Sequence, residues 1–503
     1  MTTATTILDP RAVVADLDRR LFGGFVEHLG RHVYDGIHEP SHPSADERGF
    51  RTDVIDLVRE LGISVVRYPG GNFVSGYRWE DGIGPREQRP RRLDLAWHTT
   101  ETNEVGLHEF ADWLDEVGSE LMLAVNLGTR GIAEALDLLE YANASADTAR
   151  TRERAANGRE RPFGVRMWCL GNEMDGPWQL GGRDAADYGR LAARTARAMR
   201  RFDPGLQLVA CGSSSRTMPT FGAWEREVLE HVFDDVDFLS CHAYYEARDD
   251  DAQEFLASAV DMHLFIETVV GIADDVAAAR GSDKRIMISF DEWNVWYQSR
   301  WNAIEGTQPA DDWPVAPRLL EDRYTALDAV VSGDLLITLL QHADRVRSAS
   351  LAQLVNVIAP IMTEPGGPAW RQTIFFPFAI TSRLAGDRVL RVPVEARAFT
   401  SARFGDVPSV NAVATADTDG VSLFVVNRST ADAVEVAVDV TALGPRPAIV
   451  ETHLLHERDA SAANTLDDPE RVRPRPIDDA RLDGGMMRFT LPPVSWAALR
   501  IAS

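Results

Sequence analysis

The chain has 503 residues, of which 52 are lysine or arginine and 77 are aspartate or glutamate, so its formal charge is −25. Such an acidic surface repels phosphate backbones, which argues against nucleic-acid binding and favours a neutral substrate. With 45% hydrophobic and 26% charged residues, the composition is typical of a globular protein. The length predicts roughly two to four domains, or one large barrel with a smaller partner.

The chain contains only three cysteines, Cys169, Cys211 and Cys241. This low, odd number argues against a disulfide framework and favours a reducing compartment. The N-terminal segment has no basic start followed by an apolar stretch, and no apolar run is long enough to span a bilayer. We therefore expect a cytoplasmic protein with no signal peptide and no membrane partner.

Short apolar runs alternate with amphipathic stretches in the first three quarters of the chain. The amphipathic stretches place apolar residues on one helical face, as in Val54, Leu57, Val58 and Leu61. Continuous apolar strands that alternate with helices are typical of a parallel (β/α)₈ barrel, an α/β fold known as the TIM barrel, which we assign to residues 20–382. The predicted strands are 21–28, 63–69, 120–127, 166–172, 206–211, 237–244, 285–292 and 349–358.

The pattern changes in the last quarter of the chain, where helical periodicity gives way to alternating and β-branched segments. These segments predict a C-terminal antiparallel β-sandwich domain over residues 383–503. Two early segments within residues 1–19 also resemble strands, and we expect them to join the sandwich. The polar stretch 144–162 is interpreted as a long surface loop or lid. The predicted sandwich strands are 409–416, 421–429, 433–440, 448–456, 486–492 and 495–502.

Polar side chains stand at the carboxyl ends of at least five predicted barrel strands. In a (β/α)₈ barrel, these ends meet at one mouth, where functional groups collect. Carboxylates, amides, an arginine and aromatic rings together suit acid/base chemistry on a neutral polyhydroxy ligand. A lone glutamate after a strand is more often a helix cap or a surface charge, and only the coincidence at several strands argues for a site. The residues are Glu27 and His28, Arg67 and Asn72, Asn172 and Glu173, His242 and Tyr244, Glu292, and Gln353.

Glu173 and Glu292 end the fourth and seventh predicted strands, which face each other across the barrel mouth. Glycoside hydrolysis needs such a pair, one acid to protonate the leaving oxygen and one base or nucleophile on the other side of the sugar. A separation of about 5–5.5 Å would give retention of configuration. We expect Arg67 to keep Glu292 ionised, and burial and a like charge to keep Glu173 protonated.

Aromatic residues near the strand ends are candidates for stacking against sugar rings, although an isolated tryptophan is usually part of a core. His28 and His32 have the spacing of helical metal ligands, but Gly30 lies between them and no further ligand has matching spacing. We therefore expect hydrogen-bonding histidines, no metal site and no cofactor. The aromatic candidates are Trp97, Trp178, Trp293, Trp296 and Tyr297.

Several motifs in this order resemble the family 51 α-L-arabinofuranosidases: GFVEHLGRHVYDGI, RYPGGNFVSGYRWEDGIGP, TETNEVGLHEF, WCLGNEMDGPWQLG, SFDEWNVWY and LAQLVNVIAPIMT. The resemblance implies that Glu173 is the general acid/base and Glu292 the nucleophile. It implies that Arg67 steadies the nucleophile and that Trp97 and Trp296 line the site. It also implies a cytoplasmic homohexamer without a metal requirement. The residues implied to bind the arabinofuranose are Glu27, Asn72, Asn172, Tyr244 and Gln353.

The expected activity is retaining, exo-acting release of terminal non-reducing α-L-arabinofuranose from arabino-oligosaccharides or arabinoxylan fragments. A β-xylosidase or an endo-β-1,4-glucanase on the same barrel is the nearest alternative. An exo-enzyme needs a closed pocket and an endo-enzyme an open cleft, and the long loops after strands two and six favour a pocket. A catalytically silent carbohydrate-binding or assembly protein is a more distant alternative, disfavoured because both glutamates are present.

Overall fold

The computed structural model describes residues 2–248, 251–307 and 309–502. The strands are, in chain order, β1 (Thr2–Ile7), β2 (Val13–Asp16), β3 (Gly23–Phe25), β4 (Val65–Tyr68), β5 (Arg92–Asp94), β6 (Thr99–Glu101), β7 (Glu120–Val125), β8 (Met167–Leu170), β9 (Gln207–Ala210), β10 (Phe238–Tyr245), β11 (Met287–Val295), β12 (Val346–Ala352), β13 (Ile361–Thr363), β14 (Ala369–Arg371), β15 (Arg388–Leu390), β16 (Val394–Glu395), β17 (Ala398–Ser401), β18 (Gly405–Pro408), β19 (Val410–Asp417), β20 (Gly420–Asn427), β21 (Val434–Asp439), β22 (Ala448–His456), β23 (Arg481–Asp483), β24 (Met486–Leu491) and β25 (Ser495–Ala502).

The α-helices are α1 (Thr52–Leu61), α2 (Leu107–Val117), α3 (Ile132–Asn143), α4 (Ala149–Ala156), α5 (Ala185–Phe202), α6 (Ala223–Val232), α7 (Ala252–Leu256), α8 (Ser258–Ala279), α9 (Gln298–Asn302), α10 (Ala326–Gln341) and α11 (Phe375–Leu384). Short 3₁₀ turns cover Arg19–Phe22, Asn72–Ser75, Trp79–Gly82, Arg86–Gln88 and Thr441–Leu443. Among the described residues, no helix has both the length and the apolar character needed to cross a membrane.

Eight parallel strands close into a barrel in the order β10-β11-β12-β3-β4-β7-β8-β9. Helices follow the strands and pack outside them, so the predicted (β/α)₈ barrel is confirmed. Strand β7 shows how side chains divide between the two cores. Met122 and Ala124 lie in a small cluster inside the barrel, whereas Leu121 and Leu123 pack into the helix layer. This alternation follows from the two-residue repeat of a strand.

Helix α1 illustrates why the outer helices form where the pattern predicts. Its apolar residues, among them Val54, Val58 and Leu61, are buried on one face. Gly62 ends the helix in a left-handed conformation with φ 76°, and its N–H donates to the Val58 and Arg59 carbonyls. This is the usual way in which a glycine terminates a helix.

The stretch 144–162 is not the simple surface loop that its polarity suggested, because it contains α4. The Thr148 side chain caps this helix by accepting from the Thr151 N–H. Arg154 is buried against the preceding helix and donates to the Tyr141 and Ala144 carbonyls at 2.6 and 2.8 Å. An arginine bound to two helix-terminal carbonyls fixes this segment to the barrel wall.

Two sheets form the C-terminal sandwich, in the orders β16-β1-β21-β24-β23 and β2-β15-β19-β20-β25-β22. Both N-terminal strands lie in these sheets, and β2 pairs antiparallel with β15. The pair β1–β21 is parallel, from Thr2 opposite Val434 to Ile7 opposite Asp439. The sandwich is therefore antiparallel except at this position, where the start of the chain is added to a sheet made of later strands.

Candidate active site

A pocket of about 390 Å³ opens at the carboxyl ends of the barrel strands. Arg67, Asn172 and His242 are buried directly beneath it. Arg67 and His242 contact the pocket's glutamates, and Asn172 accepts a hydrogen bond from Arg67. Eight other residues predicted for the site line the pocket: Glu27, Asn72, Trp97, Glu173, Tyr244, Glu292, Trp296 and Gln353. His28 does not line it.

Glu292 and its neighbour Asp291 both point into the barrel, although adjacent residues of a regular strand face opposite sides. The pairing of β11 with β12 shifts register between Ile288 and Ser289 and again between Phe290 and Trp293. The pairing of β11 with β10 also shifts between Ser289 and Glu292. Such a bulge re-aims side chains. As a result, Phe290 and Trp293 both pack into the outer core while the two acids between them face inward.

The Glu292 carboxylate accepts two hydrogen bonds, one from a buried side chain and one from a partly buried side chain. Arg67 Nη1 donates to Oε1 at 2.8 Å, and the Tyr244 hydroxyl donates to Oε2 at 2.7 Å. Burial and the charge of Glu292 raise the pKa of Tyr244 well above its usual value, so the hydroxyl keeps its proton and donates. Together these contacts hold the carboxylate in one orientation at the pocket floor.

Glu173 lies in a tight turn after β8 and has a left-handed backbone conformation with φ 43°. Its Oε2 accepts a 2.7 Å hydrogen bond from Trp178 Nε1, and its Oε1 lies 2.9 Å from His242 Nδ1. One oxygen of Glu173 and one of Glu292 lie within 4.8 Å of each other. The two carboxyl groups therefore share one small volume at the base of the pocket.

His242 connects the acidic groups of the site. Its Nδ1 lies 2.9 Å from Glu173 and 3.6 Å from Glu292, and its Nε2 lies 3.0 Å from Asp291 Oδ1. Burial alone would lower the pKa of His242, but the charge of Glu292 and the hydrogen bonds to Asp291 and Glu173 raise it to about 10. At neutral pH the ring is therefore a cation that donates from both nitrogens.

The pKa of Glu292 is raised, whereas Arg67 alone was expected to lower it and keep the carboxyl ionised. Burial raises the pKa of Glu292, and the like charge of Glu173 adds to the rise, while His242 and Arg67 act in the opposite direction. Arg67 does favour the ionised form, but it does not outweigh the loss of water around the carboxylate. Loss of water and a neighbouring like charge therefore make Glu292 easier to protonate than an isolated carboxyl.

Arg67 is buried beneath the pocket and binds several of its components. Besides Glu292, it donates from Nη2 to Asn172 Oδ1 at 2.6 Å and lies 3.7 Å from Asp291 Oδ2. Its guanidinium stacks over the Phe25 ring at 4.8 Å. Burial opposes ionisation of Asp291, yet Arg67 and His242 lower the pKa of that carboxyl below its usual value. The buried charges are thus paired, as buried charges must be.

Glu27 forms the opposite side of the pocket floor. Its Oε1 accepts from the Phe73 N–H at 2.9 Å and from Trp97 Nε1 at 3.0 Å, while its Oε2 accepts from Gln353 Nε2 at 3.3 Å. Burial raises the pKa of Glu27 to about 8, against the lowering effect of the Phe73 and Trp97 hydrogen bonds. Glu27 is therefore mostly protonated at neutral pH and has a proton to donate.

Some of the aromatic candidates line the pocket, and the others pack elsewhere in the protein. Trp97, Trp178 and Trp296 line the pocket, and Trp296 packs edge-on against Tyr244 with ring centroids 5.0 Å apart. Trp293 is fully buried and lies in the outer core, so it is not part of the site. Tyr297 binds Asp328 through its hydroxyl at 2.8 Å and does not line the pocket either.

Several pocket residues were not predicted, and most follow strands β9 and β11. Ser214 is held by Asp175, whose Oδ2 accepts from its N–H and its hydroxyl at 3.0 and 3.1 Å. Trp301 packs against Trp97 with ring centroids 5.9 Å apart. The run of serines at 213–215 after a predicted strand was a usable signal, whereas nothing in the sequence placed α9 at the rim. The unpredicted polar and aromatic residues are Phe25, Ser214, Ser215, Gln298, Trp301, Asn302 and Glu305.

His28 and His32, whose sequence context argued against metal binding, are both hydrogen-bonded to other side chains. His28 contacts Glu101 and Tyr68, both at 2.9 Å, and His32 contacts Gln353. Within the described ranges, two other groups have ligand atoms close enough to share a metal ion, and one of them comprises Glu173, His242 and Glu292. In that group both ring nitrogens of the protonated His242 already donate to carboxylates. The positive charge among these carboxylates is therefore supplied by the imidazolium.

Two family models match the chain. The model for an α-L-arabinofuranosidase 1 domain matches residues 57–261, and that for the α-L-arabinofuranosidase C-terminal domain matches residues 291–495. A solved family 51 α-L-arabinofuranosidase from Bifidobacterium longum superimposes with a TM-score of 0.96 at 50% identity, covering all of both chains. This chain belongs to the family 51 α-L-arabinofuranosidases.

Other α-L-arabinofuranosidases are similar to nearly the whole of this chain. An exo-α-(1→6)-L-arabinofuranosidase of Bifidobacterium longum is 57% identical, over 98% of this chain and 96% of its own. An intracellular exo-α-(1→5)-L-arabinofuranosidase of Streptomyces lividans is 55% identical, over 100% of this chain and 76% of its own. The structure of an α-L-arabinofuranosidase from Thermotoga maritima, in an arabinose complex, has a TM-score of 0.86 at 32% identity and covers both chains fully.

Proposed function

We propose that this family 51 enzyme releases terminal non-reducing α-L-arabinofuranose by a retaining double displacement, with Glu292 as nucleophile and Glu173 as general acid/base. The observation that carries the proposal is the closeness of the two glutamates, whose nearest oxygens lie within 4.8 Å. A retaining glycosidase needs carboxyl groups about 5–5.5 Å apart, whereas an inverting one leaves room for a water at about 6.5–9.5 Å.

In the first step, a Glu292 oxygen forms a bond to the anomeric carbon while the bond to the glycosidic oxygen breaks. Glu173 transfers its proton to that departing oxygen, so the leaving alcohol is neutral and Glu173 becomes a carboxylate. The Arg67 and Tyr244 donors orient Glu292 for attack. The product of this step is an arabinosyl ester of Glu292.

In the second step, the Glu173 carboxylate takes a proton from a water molecule, whose oxygen attacks the anomeric carbon from the side that the alcohol left. The ester bond breaks, and the Glu292 carboxylate is restored. Two inversions give net retention. His242 stays positively charged beside both glutamates through this cycle, so it stabilises each of them in its anionic form.

The remaining polar groups surround the position of the sugar. We assign sugar-hydroxyl binding to Glu27, Asn72, Asn172, Tyr244 and Gln353, and stacking or wall contacts to Trp97 and Trp296. Hydrogen bonds to ring hydroxyls that strengthen as the oxocarbenium ion develops lower the barrier. Residues 20–382 would then form the catalytic domain, with residues 1–19 and 383–503 as the sandwich.

The substrate class follows from the family and from the pocket. The two similar enzymes cited above act, by their names, on α-(1→6) and α-(1→5) linkages, and we propose terminal arabinofuranose on arabino-oligosaccharides or arabinoxylan fragments for this chain. A site inside the cell is proposed because relatives from Streptomyces lividans and Bifidobacterium longum are named intracellular. A homohexamer is proposed from the family resemblance.

A chromogenic α-L-arabinofuranoside, tested beside a β-xyloside and a β-cellobioside, separates the proposed activity from its nearest alternatives. We expect rapid release only from the arabinofuranoside. Glu292→Ala should abolish turnover, and azide should restore part of it as the glycosyl azide of inverted configuration, because the small anion replaces the missing nucleophile. Preferred hydrolysis of the xyloside or cellobioside would contradict the substrate, and absence of rescue would contradict the nucleophile.

A further inference from the structure

We propose that His263, Glu267 and His342 form a binding site for a Zn²⁺-type divalent metal ion on the outer face of the barrel. His263 and Glu267 lie on α8, and His342 follows the last residue of α10. The three side chains each offer a ligand atom, and these atoms lie within 4.8 Å of one another. None of the three residues lines the catalytic pocket.

Local geometry brings the ligand atoms together from two helices. His263 and Glu267 are four residues apart on α8, so their side chains lie on the same face one turn apart. Across the contact between α8 and α10, His263 Nδ1 lies 2.8 Å from His342 Nε2. These two nitrogens are hydrogen-bonded to each other, and an ion bound between them would take the place of the shared hydrogen. Glu267 Oε1 lies 3.4 Å from the other nitrogen of the His342 ring, Nδ1, so an ion shared by all three residues would bind only one of the two His342 nitrogens.

The ligand types favour zinc over the hard cations. Two imidazole nitrogens and a carboxylate oxygen are common Zn²⁺ ligands, whereas Mg²⁺ and Ca²⁺ prefer oxygen donors. With Zn–N bonds of about 2.0–2.1 Å, tetrahedral coordination would lengthen the distance between the two nitrogens by about half an ångström. His263 and Glu267 are exposed and free to adjust, while His342 is buried and fixes the position of the site.

Neighbouring charges do not oppose a cation at this position. The nearby Arg345 guanidinium is engaged elsewhere, donating to Asp274 Oδ2 at 2.8 Å and to the Ile286 carbonyl at 3.0 Å. Asp344, two residues from His342, adds negative charge to the surface. An ion held here would cross-link α8, which follows strand β10 of the active site, to the end of α10.

The test is a titration of the tag-free, full-length chain with ZnCl₂, followed by calorimetry and by competition with a chromogenic chelator. His263→Ala and Glu267→Gln change exposed residues, so both variants should fold. We expect each to weaken Zn²⁺ binding at least about tenfold, since even outer-sphere changes cost 10–100-fold at metal sites. Saturating Zn²⁺ should also raise the Tm of the parent protein, but not that of His263→Ala.

The chain offers a matched control in Glu227 and His231, which have the same spacing on α6 with a 3.3 Å contact but belong to neither candidate metal group. His231→Ala should bind Zn²⁺ as the parent does. Binding that survives in His263→Ala, or that is lost only in Glu173→Gln, would place the ion elsewhere and overturn the proposal. An equal Tm shift with MgCl₂ would overturn it as well, because that result would reflect a general effect of divalent cations on an acidic surface.

Discussion

One carboxyl oxygen of Glu173 lies within 4.8 Å of one of Glu292, although Glu173 follows β8 and Glu292 lies in β11, three strands away around the barrel. This closeness leaves no space for a water between nucleophile and sugar, as inversion requires. We therefore predict that the anomer formed first has the configuration of the substrate. Proton NMR of the reaction before mutarotation measures this directly, and release of the inverted anomer would rule out the double displacement.

Replacing Glu173 by alanine should affect substrates according to their leaving groups. An alkoxide leaving group needs the proton of Glu173, so hydrolysis of an arabino-oligosaccharide should slow by about 10²–10⁴-fold. An aryl arabinofuranoside with an acidic phenol needs little protonation, so formation of its glycosyl-enzyme should change far less. Comparing kcat/KM for the two substrates checks this. Equal losses on both would show that Glu173 acts in binding rather than as the acid.

The hydroxyl of Tyr244 donates a 2.7 Å hydrogen bond to Glu292 Oε2. Tyr244→Phe removes this donor but keeps the ring, which packs against Trp296. Because hydrogen bonds to charged groups contribute about 1.5–3 kcal/mol, kcat should fall roughly 10- to 150-fold. Tyr297→Phe is the matched control, since its hydroxyl binds Asp328 away from the pocket. A similar fall in kcat for both variants would mean that Tyr244 acts through general stability.

Glu27 should make stability depend on pH in a way that Glu27→Gln removes. Burial raises the pKa of Glu27 from an ordinary 4.5 to about 8. A raised folded-state pKa contributes stability that is complete below pH 4.5 and is lost as pH rises through 8. As the pH rises between these values, the Tm of the parent should therefore fall relative to the Tm of Glu27→Gln. Thermal unfolding at several pH values measures this difference in Tm. A difference that stays constant with pH would contradict the prediction.

The fold was predictable because its signals are local. Each barrel strand is a short apolar run bounded by turn residues, and every predicted run overlaps an observed strand, as in β7 and β8. The helix α4 was missed because its exposed face dominates its composition. The decisive signals there were the capping Thr148 and the helix-forming alanines and arginines that follow it.

The site was predictable only in part, because tertiary geometry decides the rest. The strand-end rule located Glu173 and Glu292, but the bulge that turns both Asp291 and Glu292 inward and Trp293 outward leaves no sequence signal. Likewise, the elevated pKa of His242 depends on three carboxylates that only the fold brings together. The contact of His342 with α8 is of the same kind, since it joins segments far apart in the chain.

Arg428 and Asp334 form a buried ion pair between the sandwich and the barrel. Arg428 Nε and Nη2 donate to the two Asp334 oxygens at 2.6 and 3.0 Å, and Asn411 also donates to Asp334 at 2.8 Å. Arg428→Met leaves Asp334 charged and buried, so we predict a loss of about 3–5 kcal/mol in the free energy of unfolding. Calorimetry should show a lower Tm without any change in the substrate preference.

The cause of that loss can be tested by removing the second charge. In the double variant Asp334→Asn/Arg428→Met, Asn411 keeps an acceptor and no buried charge is left alone, so more than half of the lost stability should return. The control is Arg383→Ala, which breaks an exposed pair with Glu451 and should cost about 1 kcal/mol or less. If the double variant is no more stable than Arg428→Met, the loss arises from packing of the arginine side chain and not from the unpaired carboxylate.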